Sequence, residues 1–443
     1  MERFTPSEAR SSGAGALQAA LRRLDALIDW ERRDRAPVAG PAMRVDTEPA
    51  RDLCTRLGSP QTRLQAVHVA GTKGKGSVCA LVDAALRGLG FRVGRYASPH
   101  VERVTERVCL GGRAIDDGAL ARVLGRALDA REAALADGGP GRQATWFDVL
   151  TAAAFLAFDE ARVELAVVEC GLGGRLDSTN VLSGAVCVVT GIDLEHTAIL
   201  GADRASIAAE KAGILKPGST LVSGVDPGDE AGRVVAERAR ACGAPVVWVA
   251  QPPEERIEER NARLAGAVLD ALGQRGLRTP AGAAVGAAAL DGAAREAARL
   301  PARLERFRCG EVPVVLDGAH VAASVRDVLR ELGADPALPG RPVAVLGLGG
   351  DKDASGILKV LIPAVDRLLC TSLGSGPYRP AEELRRMAAA VGSPAEAVLP
   401  PRAALSRALE LARPGGWVLV IGSLHLAGAL RGTLTRGCQE TSC

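Results

Sequence analysis

Aromatic residues are scarce in this chain: six phenylalanines, four tryptophans and two tyrosines make up 3% of 443 residues. Beside heavy use of Ala, Gly, Arg and Leu, that scarcity reads as coding bias rather than function. Charge of one sign is lacking too. Lys and Arg number 55 against 52 Asp and Glu, a net +3, which argues against a nucleic-acid partner held by bulk charge. Local lysines and arginines remain able to meet an anionic small molecule. No 18 apolar residues run unbroken, so no transmembrane helix and no membrane partner are expected. The first fifteen residues are polar, lack a signal-peptide core and read as disordered. Ten cysteines include no C-x-x-C pair and no zinc pattern. Several, such as Cys187, lie in apolar runs, and they read as reduced, buried thiols of a cytoplasmic protein.

What remains is ordinary globular composition, 47% hydrophobic and 24% charged, in a chain long enough for two or three domains. One stretch organises it: His68-Val-Ala-Gly-Thr-Lys-Gly-Lys-Gly-Ser-Val78. The apolar run 64–70 leading into it reads as a buried parallel strand. Behind it, Val78, Leu81, Val82, Ala85, Leu86 and Leu89 fall at helical spacing. Between a strand and a helix, glycines let backbone N–H groups close on phosphate oxygens, and the helix N-terminus adds partial positive charge. Lys75 is spaced to reach the β/γ-phosphates and Ser77 to hold Mg²⁺. The spacing departs from G-x-x-x-x-G-K-[ST], because Val69 takes the first glycine's place and Gly76 the usual hydroxyl's. A glycine-rich turn carrying a solvated lysine is the structural alternative.

Periodicity predicts helices over 16–35, 44–58, 117–136, 146–160 and 204–213, and strands over 91–97, 163–169, 185–190, 220–223 and 245–249. Such alternation points to a doubly wound, mostly parallel α/β sheet. After an Ala/Gly-rich stretch, new strands are predicted at 312–316, 343–346, 368–371 and 417–421. They make a second, smaller, Rossmann-like α/β domain. Residues 1–298 and 299–443 are therefore read as two domains with a hinge at 296–302, and the last dozen residues as a loose tail.

Ligands of open parallel sheets bind beyond the carboxyl ends of the strands. Glu169 stands at one such end, before glycines, and suits Mg²⁺. His196 follows the next strand. Taken singly each reads more readily as structural, but with Ser77 they have the makings of one metal site beside the phosphates. Asp317, in Asp317-Gly-Ala-His320, serves equally as a ribose acceptor or a turn former. Arg303 is either a phosphate ligand or an exposed linker charge. The loop 347–353 follows another strand.

In order along the chain, these segments resemble the folylpolyglutamate synthase/dihydrofolate synthase family, a branch of the Mur ligase superfamily. The resemblance rests on 68–77, Tyr-Ala-Ser-Pro-His (96–100), 147–155, Glu-Cys-Gly-Leu-Gly-Gly-Arg-Leu-Asp-Ser-Thr-Asn (169–180), 196–201, 207–216, Asp-Gly-Ala-His (317–320) and Asp-Lys-Asp (351–353). The glycine spacing that weakens the phosphate motif is the form this superfamily uses. The resemblance implies an ATP-dependent amide ligase: a carboxylate takes the γ-phosphoryl group, and the amino group of glutamate displaces phosphate from the acyl phosphate. It implies ATP contacts at Gly71, Thr72, Lys73, Gly74, Lys75, Gly76, Ser77, Asn261, Arg303, Asp317 and His320, and metal ligands at Ser77, Glu169, His196 and, if carbamylated, Lys211. It implies catalytic roles for Lys75, Lys211 and His196, and a folate subsite at Ser98, Pro99 and His100. ATP, two Mg²⁺ ions and, as a further candidate, K⁺ are the implied cofactors. Dihydropteroate or a reduced folate and L-glutamate are the implied partners of a monomer whose C-terminal domain closes over glutamate. On sequence alone, Lys211 is a solvated helical lysine.

Departures from the family pattern fall at Asp193 and Glu195, Glu258, Ala302, Val321-Ala322 and Asp148. Most touch adenine, ribose or hinge contacts. The alternatives are a Mur-type ligase for another acid, disfavoured because the phosphate loop begins already at Gly71, and a nucleotide-binding homologue impaired in turnover.

Overall fold

The computed structural model describes residues 6–29, 46–252, 254–374, 376, 378–392, 394–412 and 415–440. The chain divides into two compact units, with the boundary between Ala298 and Arg299.

The larger unit holds eight strands: β1 (Gln65–Ala70), β2 (Val93–Tyr96), β3 (Val108–Leu110), β4 (Arg113–Ala114), β5 (Leu165–Glu169), β6 (Gly184–Val189), β7 (Thr220–Ser223) and β8 (Val246–Trp248). Their order is β4-β3-β2-β5-β1-β6-β7-β8. Pairing is parallel from β2 to β8, while β3 and β4 run antiparallel at one edge. Central β1 pairs with β5 (Val69 opposite Glu169) and with β6 (Ala70 opposite Val189), so three loops leave the same edge side by side. Burial on both faces explains why these strands read as unbroken apolar runs.

The helices are α1 (Pro6–Asp25), α2 (Glu48–Arg56), α3 (Lys75–Gly88), α4 (Asp117–Asp137), α5 (Trp146–Glu160), α6 (Thr197–Leu200), α7 (Arg204–Ala212), α8 (Glu230–Ala241), α9 (Ile257–Gln274) and α10 (Gly292–Ala297). Helix α5 is apolar nearly all round and buried along most of its length. It starts with a capping box, in which Thr145 accepts from Asp148 N while the Asp148 carboxylate accepts from Thr145 N at 2.8 Å. Leu24, Leu53, Tyr96, Leu120, Leu124, Trp146, Phe155 and Phe158 belong to one buried cluster. No helix among the described residues is long and apolar enough to cross a membrane.

Several expectations need correction. Helix α1 starts at Pro6, inside the segment read as disordered, and ends at Asp25 rather than 35; residues 30–35 and 44–45 of the first two predicted helices lie outside the described residues. The β3–β4 hairpin, turned at Gly111 and Gly112 (φ 57° and 80°), was not predicted, because strands of three and two residues carry no readable periodicity.

The smaller unit contains β9 (Glu305–Cys309), β10 (Val312–Leu316), β11 (Val343–Leu346), β12 (Arg367–Cys370), β13 (Ala395–Ala397), β14 (Val418–Ile421) and β15 (Gln439–Glu440). They are ordered β13-β12-β11-β14-β10-β9-β15. Its helices are α11 (Ala322–Gly333), α12 (Ala354–Leu361), α13 (Ala381–Ala390), α14 (Pro401–Leu411) and α15 (Leu424–Gly437). The described part of the tail, to residue 440, is not loose. Helix α15 runs to Gly437, and β15 pairs antiparallel with β9, Gln439 opposite Arg308. That pairing brings Cys438 to Cys309, and the two form a disulfide with Cα atoms 4.5 Å apart. The reading of all cysteines as reduced is therefore wrong at this pair. The other described cysteines are free, and of these only Cys242 is not fully buried. Burial pushes the Cys54 and Cys370 thiols up to about 12, which keeps them unreactive.

The segment entering β9 bends through left-handed backbone at Ala302 (φ 54°) and Leu304 (φ 50°). It is held there by Ala302 N on the Glu305 carboxylate (2.8 Å), Leu304 N on Asp317 (2.8 Å) and Gly318 N on Ala302 O (2.9 Å). Ala302 stands where the resembled family has glycine, so its Cβ pays for a conformation glycine adopts freely.

Two stability measurements follow from this unit. Reductant or Cys309→Ser is expected to lower its unfolding free energy by about 2–4 kcal/mol in urea melts, since the bridge spans 129 residues. An unchanged melt would mean that the bridge does not constrain the unit. Ala302→Gly is expected to raise stability by up to about 1 kcal/mol, the left-handed relief exceeding glycine's added unfolded-state entropy. A loss in the same melts contradicts the strain.

Candidate phosphate and substrate site

The loop from Gly71 to Ser77 joins β1 to α3, and Lys75 is the first residue of that helix, after Gly74 in left-handed backbone (φ 80°). A side chain at Gly71 (φ 145°) would lie 1.9 Å from Thr190 Oγ1, and one at Gly74 would lie 2.6 Å from Asn261 Oδ1. Gly71 thus requires glycine for space as well as conformation, and Gly74 requires it for its left-handed backbone. Asn261, on α9, is packed against the loop itself.

The end of β6 braces the loop. Thr72 N donates to Gly191 O (2.9 Å), Thr190 N to Ala70 O (3.0 Å), Thr190 Oγ1 to Lys73 O, and Asp193 N to Thr72 Oγ1 (3.0 Å). Lys73 Nζ lies 3.3 Å from the Asp193 carboxylate. Asp193, a departure from the family pattern, thus has a partner in the loop. Glu195, another departure, lies 3.7 Å from His196 Nε2, and His196 sits in left-handed backbone (φ 51°) at the start of α6.

Lys211 overturns its expectation. It is not solvated but 3% exposed, and its ammonium donates to Gly71 O at 2.8 Å. Burial, reinforced by the nearby Lys75 charge, lowers its pKa from 10.5 to about 8, with Glu195 pulling the other way. The family motif rather than periodicity singles this residue out. Nothing about a lysine in the last turn of α7 reveals that the turn points inward.

Glu169 is buried at the end of β5, where its carboxylate accepts from Ser98 N at 3.2 Å. It links the phosphate side of the site to the Ser98-Pro99-His100 loop beyond β2. The Ser98–Pro99 bond is cis. Glu106 gathers the rest of that loop, accepting from the backbone N–H groups of Val101 (2.8 Å), Glu102 (3.0 Å) and Arg103 (2.7 Å). Arg107 donates to His100 Nδ1 at 2.8 Å and lies 4.8 Å from the Trp146 ring centroid.

Sequence reasoning missed a buried network behind these groups. His68 Nε2 lies 2.9 Å from Thr179 Oγ1 and 3.1 Å from Cys170 Sγ, and Thr179 Oγ1 donates to Asp177. Asp177 also accepts from Leu172 N and Thr179 N, which folds the Gly-rich loop after Glu169 back onto β1. Full burial drives His68 down to about 3, so it is a neutral strut. Asp148 reaches the same loop through Ser178 Oγ at 2.5 Å. The only sequence signal was that so many polar residues follow one strand.

Among the described residues, no three His, Cys, Asp or Glu side chains stand together as a metal cage. Ser77 lies in the first turn of α3, Glu169 ends β5 and His196 precedes α6.

In the smaller unit, Asp317 directly follows β10 with both carboxylate oxygens engaged, one by Leu304 N and the other by Ala319 N (2.7 Å). Burial raises its pKa, and the Arg303 charge opposes the rise. Arg303 is exposed, as a linker charge would be, while its guanidinium also donates to Ala302 O at 3.2 Å and packs against Gly318. His320 Nδ1 meets Gly318 O at 2.9 Å.

The depressed Lys211 has a measurable signature. A lysine that gives up its proton more readily when folded contributes a penalty that is complete below about 8 and relieved as pH climbs toward 10.5. Between pH 7.5 and 9.5 the native chain should gain roughly 2 kcal/mol of unfolding free energy relative to Lys211→Met. Parallel curves in denaturant titrations would contradict the burial of this charge.

The Mur ligase glutamate ligase domain model matches residues 302–424. The chain is 35% identical over 378 residues to the dihydrofolate synthase/folylpolyglutamate synthase of Mycobacterium tuberculosis, covering 76% of each chain. It is 32% identical over 349 residues to that of Escherichia coli K12, covering 75% of this chain and 78% of the other. Among solved structures, M. tuberculosis folylpolyglutamate synthase complexed with ADP superposes with a TM-score of 0.81 at 29% identity, over 96% of this chain and 100% of that one. E. coli FolC in complex with DHPP and ADP gives 0.79 at 28% identity, over 96% and 99%. A bifunctional folylpolyglutamate synthase/dihydrofolate synthase with Mn, AMPPNP and L-glutamate bound gives 0.76 at 27% identity, over 95% and 98%. Identity at this level, sustained along most of both chains and joined to a shared two-unit α/β fold, makes this chain a member of the dihydrofolate synthase/folylpolyglutamate synthase family of ATP-dependent ligases.

Proposed function

We propose that this enzyme uses Mg-ATP to join L-glutamate to the carboxylate of both dihydropteroate and reduced folates. The observation that carries the reading is the contact between Glu169 and Ser98 N, which ties the end of β5, the strand paired with β1, to the loop read as the substrate loop. In this reading a carboxylate substrate held by the Ser98, Pro99 and His100 loop would meet the γ-phosphate. Its oxygen attacks the γ-phosphorus and ADP leaves. The glutamate nitrogen then attacks the acyl carbon, losing a proton as phosphate departs.

Phosphoryl transfer asks the protein for position and positive charge rather than covalent help. In our reading the backbone from Gly71 to Ser77 and the Lys75 ammonium hold the phosphates, and Asn261 closes the nucleotide's other side. Within the smaller unit we read Arg303, Asp317 and His320 as ATP contacts, with Asp317 shaping their segment and keeping lone pairs for a ribose hydroxyl. Mg²⁺ would be held by Ser77, Glu169 and His196, where it neutralises phosphate charge. Carbamylation of Lys211 would add an anionic oxygen for a second ion. It needs a neutral amine, and with a pKa of about 8 roughly a quarter of Lys211 is neutral at pH 7.5. The match of residues 302–424 to a glutamate ligase domain supports glutamate binding in the smaller unit. We take the enzyme to work as a cytoplasmic monomer, although Cys309–Cys438 would be unusual in a reducing compartment.

Release of ADP and phosphate should require both glutamate and either dihydropteroate or a reduced folate. Release with neither pteroyl compound would refute the assignment. Lys75→Ala is expected to lower kcat by about 10²–10³-fold with an unchanged circular dichroism spectrum, and retained turnover would remove Lys75 from the phosphate role.

A further inference from the structure

Helix α7 reaches the loops at the carboxyl edge of the larger sheet twice. Lys211, in its last turn, donates to Gly71 O at 2.8 Å. Arg204, its first residue, donates through Nε to Ile192 O at 3.1 Å. The two stand two helical turns apart, so both side chains leave nearly the same face, about 10 Å apart along the axis. Each ends on a main-chain carbonyl, one beyond β1 and the other beyond β6. Those strands are paired neighbours, Ala70 opposite Val189. One helix thus staples two adjacent loops with two cationic side chains.

The Arg204 contact is anchored from behind. Its Nη2 donates to the Asp229 carboxylate at 2.6 Å, and Asp229 is itself fixed as the N-cap of α8, accepting from Gly232 N at 2.7 Å. A guanidinium is a planar fork, so holding Nη2 also aims Nε. What it aims at is one half of a peptide plane. Ile192 O and Asp193 N belong to the same rigid unit. The oxygen faces Arg204, and the N–H donates to Thr72 Oγ1 at 3.0 Å, inside the Gly71–Ser77 loop. The preceding residue is tied to the same threonine, since Gly191 O accepts from Thr72 N at 2.9 Å. Arg204 on one side and Thr72 on the other therefore fix how this plane is turned. Without the guanidinium, the carbonyl loses its donor and the plane is free to rotate away from Thr72.

We propose that Arg204 is a positioning residue for the nucleotide, acting through the 192–193 peptide plane on Thr72 and so on the main-chain amides that cradle phosphate. It touches no substrate itself. The proposal rests on reading Gly71–Ser77 as the phosphate loop, and is independent of which acid the enzyme takes. Its mark is a defect confined to nucleotide, because the contacts run from α8 through Arg204 to the β1–α3 loop and do not pass through the Ser98–His100 loop.

Calorimetric titration of the full-length enzyme with MgADP reads nucleotide binding without turnover. Arg204→Met should weaken MgADP about fivefold, part of what one charge-assisted hydrogen bond contributes. Its Michaelis constant for MgATP should rise by a similar factor, while that for dihydropteroate stays within about twofold. Asp229→Asn keeps an oxygen for Gly232 N but loses the anchor of the guanidinium, and should give a smaller loss in the same direction. The double variant should bind MgADP about as Arg204→Met does, because both changes remove one contact. Unchanged MgADP affinity in Arg204→Met overturns the proposal. So do additive losses in the double variant, or an equal rise in both Michaelis constants, the sign of a generally loosened fold. Should circular dichroism show Arg204→Met unfolded, Asp229→Asn decides alone, and an unchanged affinity there overturns the proposal as well. Lys75→Ala separates this proposal from the reading beneath it. If Lys75→Ala leaves MgADP affinity intact, the phosphate-loop reading fails. If it weakens MgADP while Arg204→Met does not, that reading stands and the role given to Arg204 alone fails.

Discussion

The carbonyl of Gly71 points into the interior, where it must find a donor, and the donor it finds is the buried ammonium of Lys211. Much of the site's character follows from that single bond. A second cation, Lys75, stands close enough to depress Lys211, so the loop is assembled under mutual repulsion before any ligand arrives. Negative charge entering the loop relieves it. The compensating acids lie on neighbouring segments: Glu195 tempers Lys211, and Asp193 pairs with Lys73. Two residues that depart from the family pattern thus carry part of the local charge balance.

How much of this could be read from the chain depended on distance along it. The phosphate loop, its flanking strand and helix, and the parallel sheet are local patterns, and β1, β5, β6, β7 and β10 lie close to where periodicity puts them. What periodicity does not carry is direction. Lys211 looks like a solvated helix residue until the turn beneath it is known to face the core. The β9–β15 pairing joins residues more than a hundred positions apart, and neither short strand has a pattern of its own. Ala302 shows the converse. Its identity is plain in the sequence, but its left-handed backbone follows from the contacts of Glu305 and Asp317.

The scarce aromatics are unevenly spent. Tyr96, Trp146, Phe147, Phe155 and Phe158 all lie on β2 and α5, on the substrate-loop side of the larger sheet. Tyr96 and Phe147 have ring centroids 5.9 Å apart, and Phe147 fills the space that a side chain at Gly171 would need. Flat, stiff side chains with few rotamers suit a wall that must hold one loop in one shape. Here composition that looked like coding bias has a local exception, concentrated where a substrate is proposed to sit.

The cradle between β1 and its neighbours is secured largely by main-chain groups: Thr72 N on Gly191 O, Thr190 N on Ala70 O, Cys170 N on Val69 O. Such bonds belong to the polypeptide rather than to any side chain, and no point substitution other than proline can delete them. Inheritance of the nucleotide cradle is therefore decoupled from inheritance of the residues around it. A lineage can exchange carboxylates at 193 and 195, or lose a glycine at 302, and keep the same loop. Evolutionary divergence in this enzyme should accumulate at the rim long before it reaches the centre.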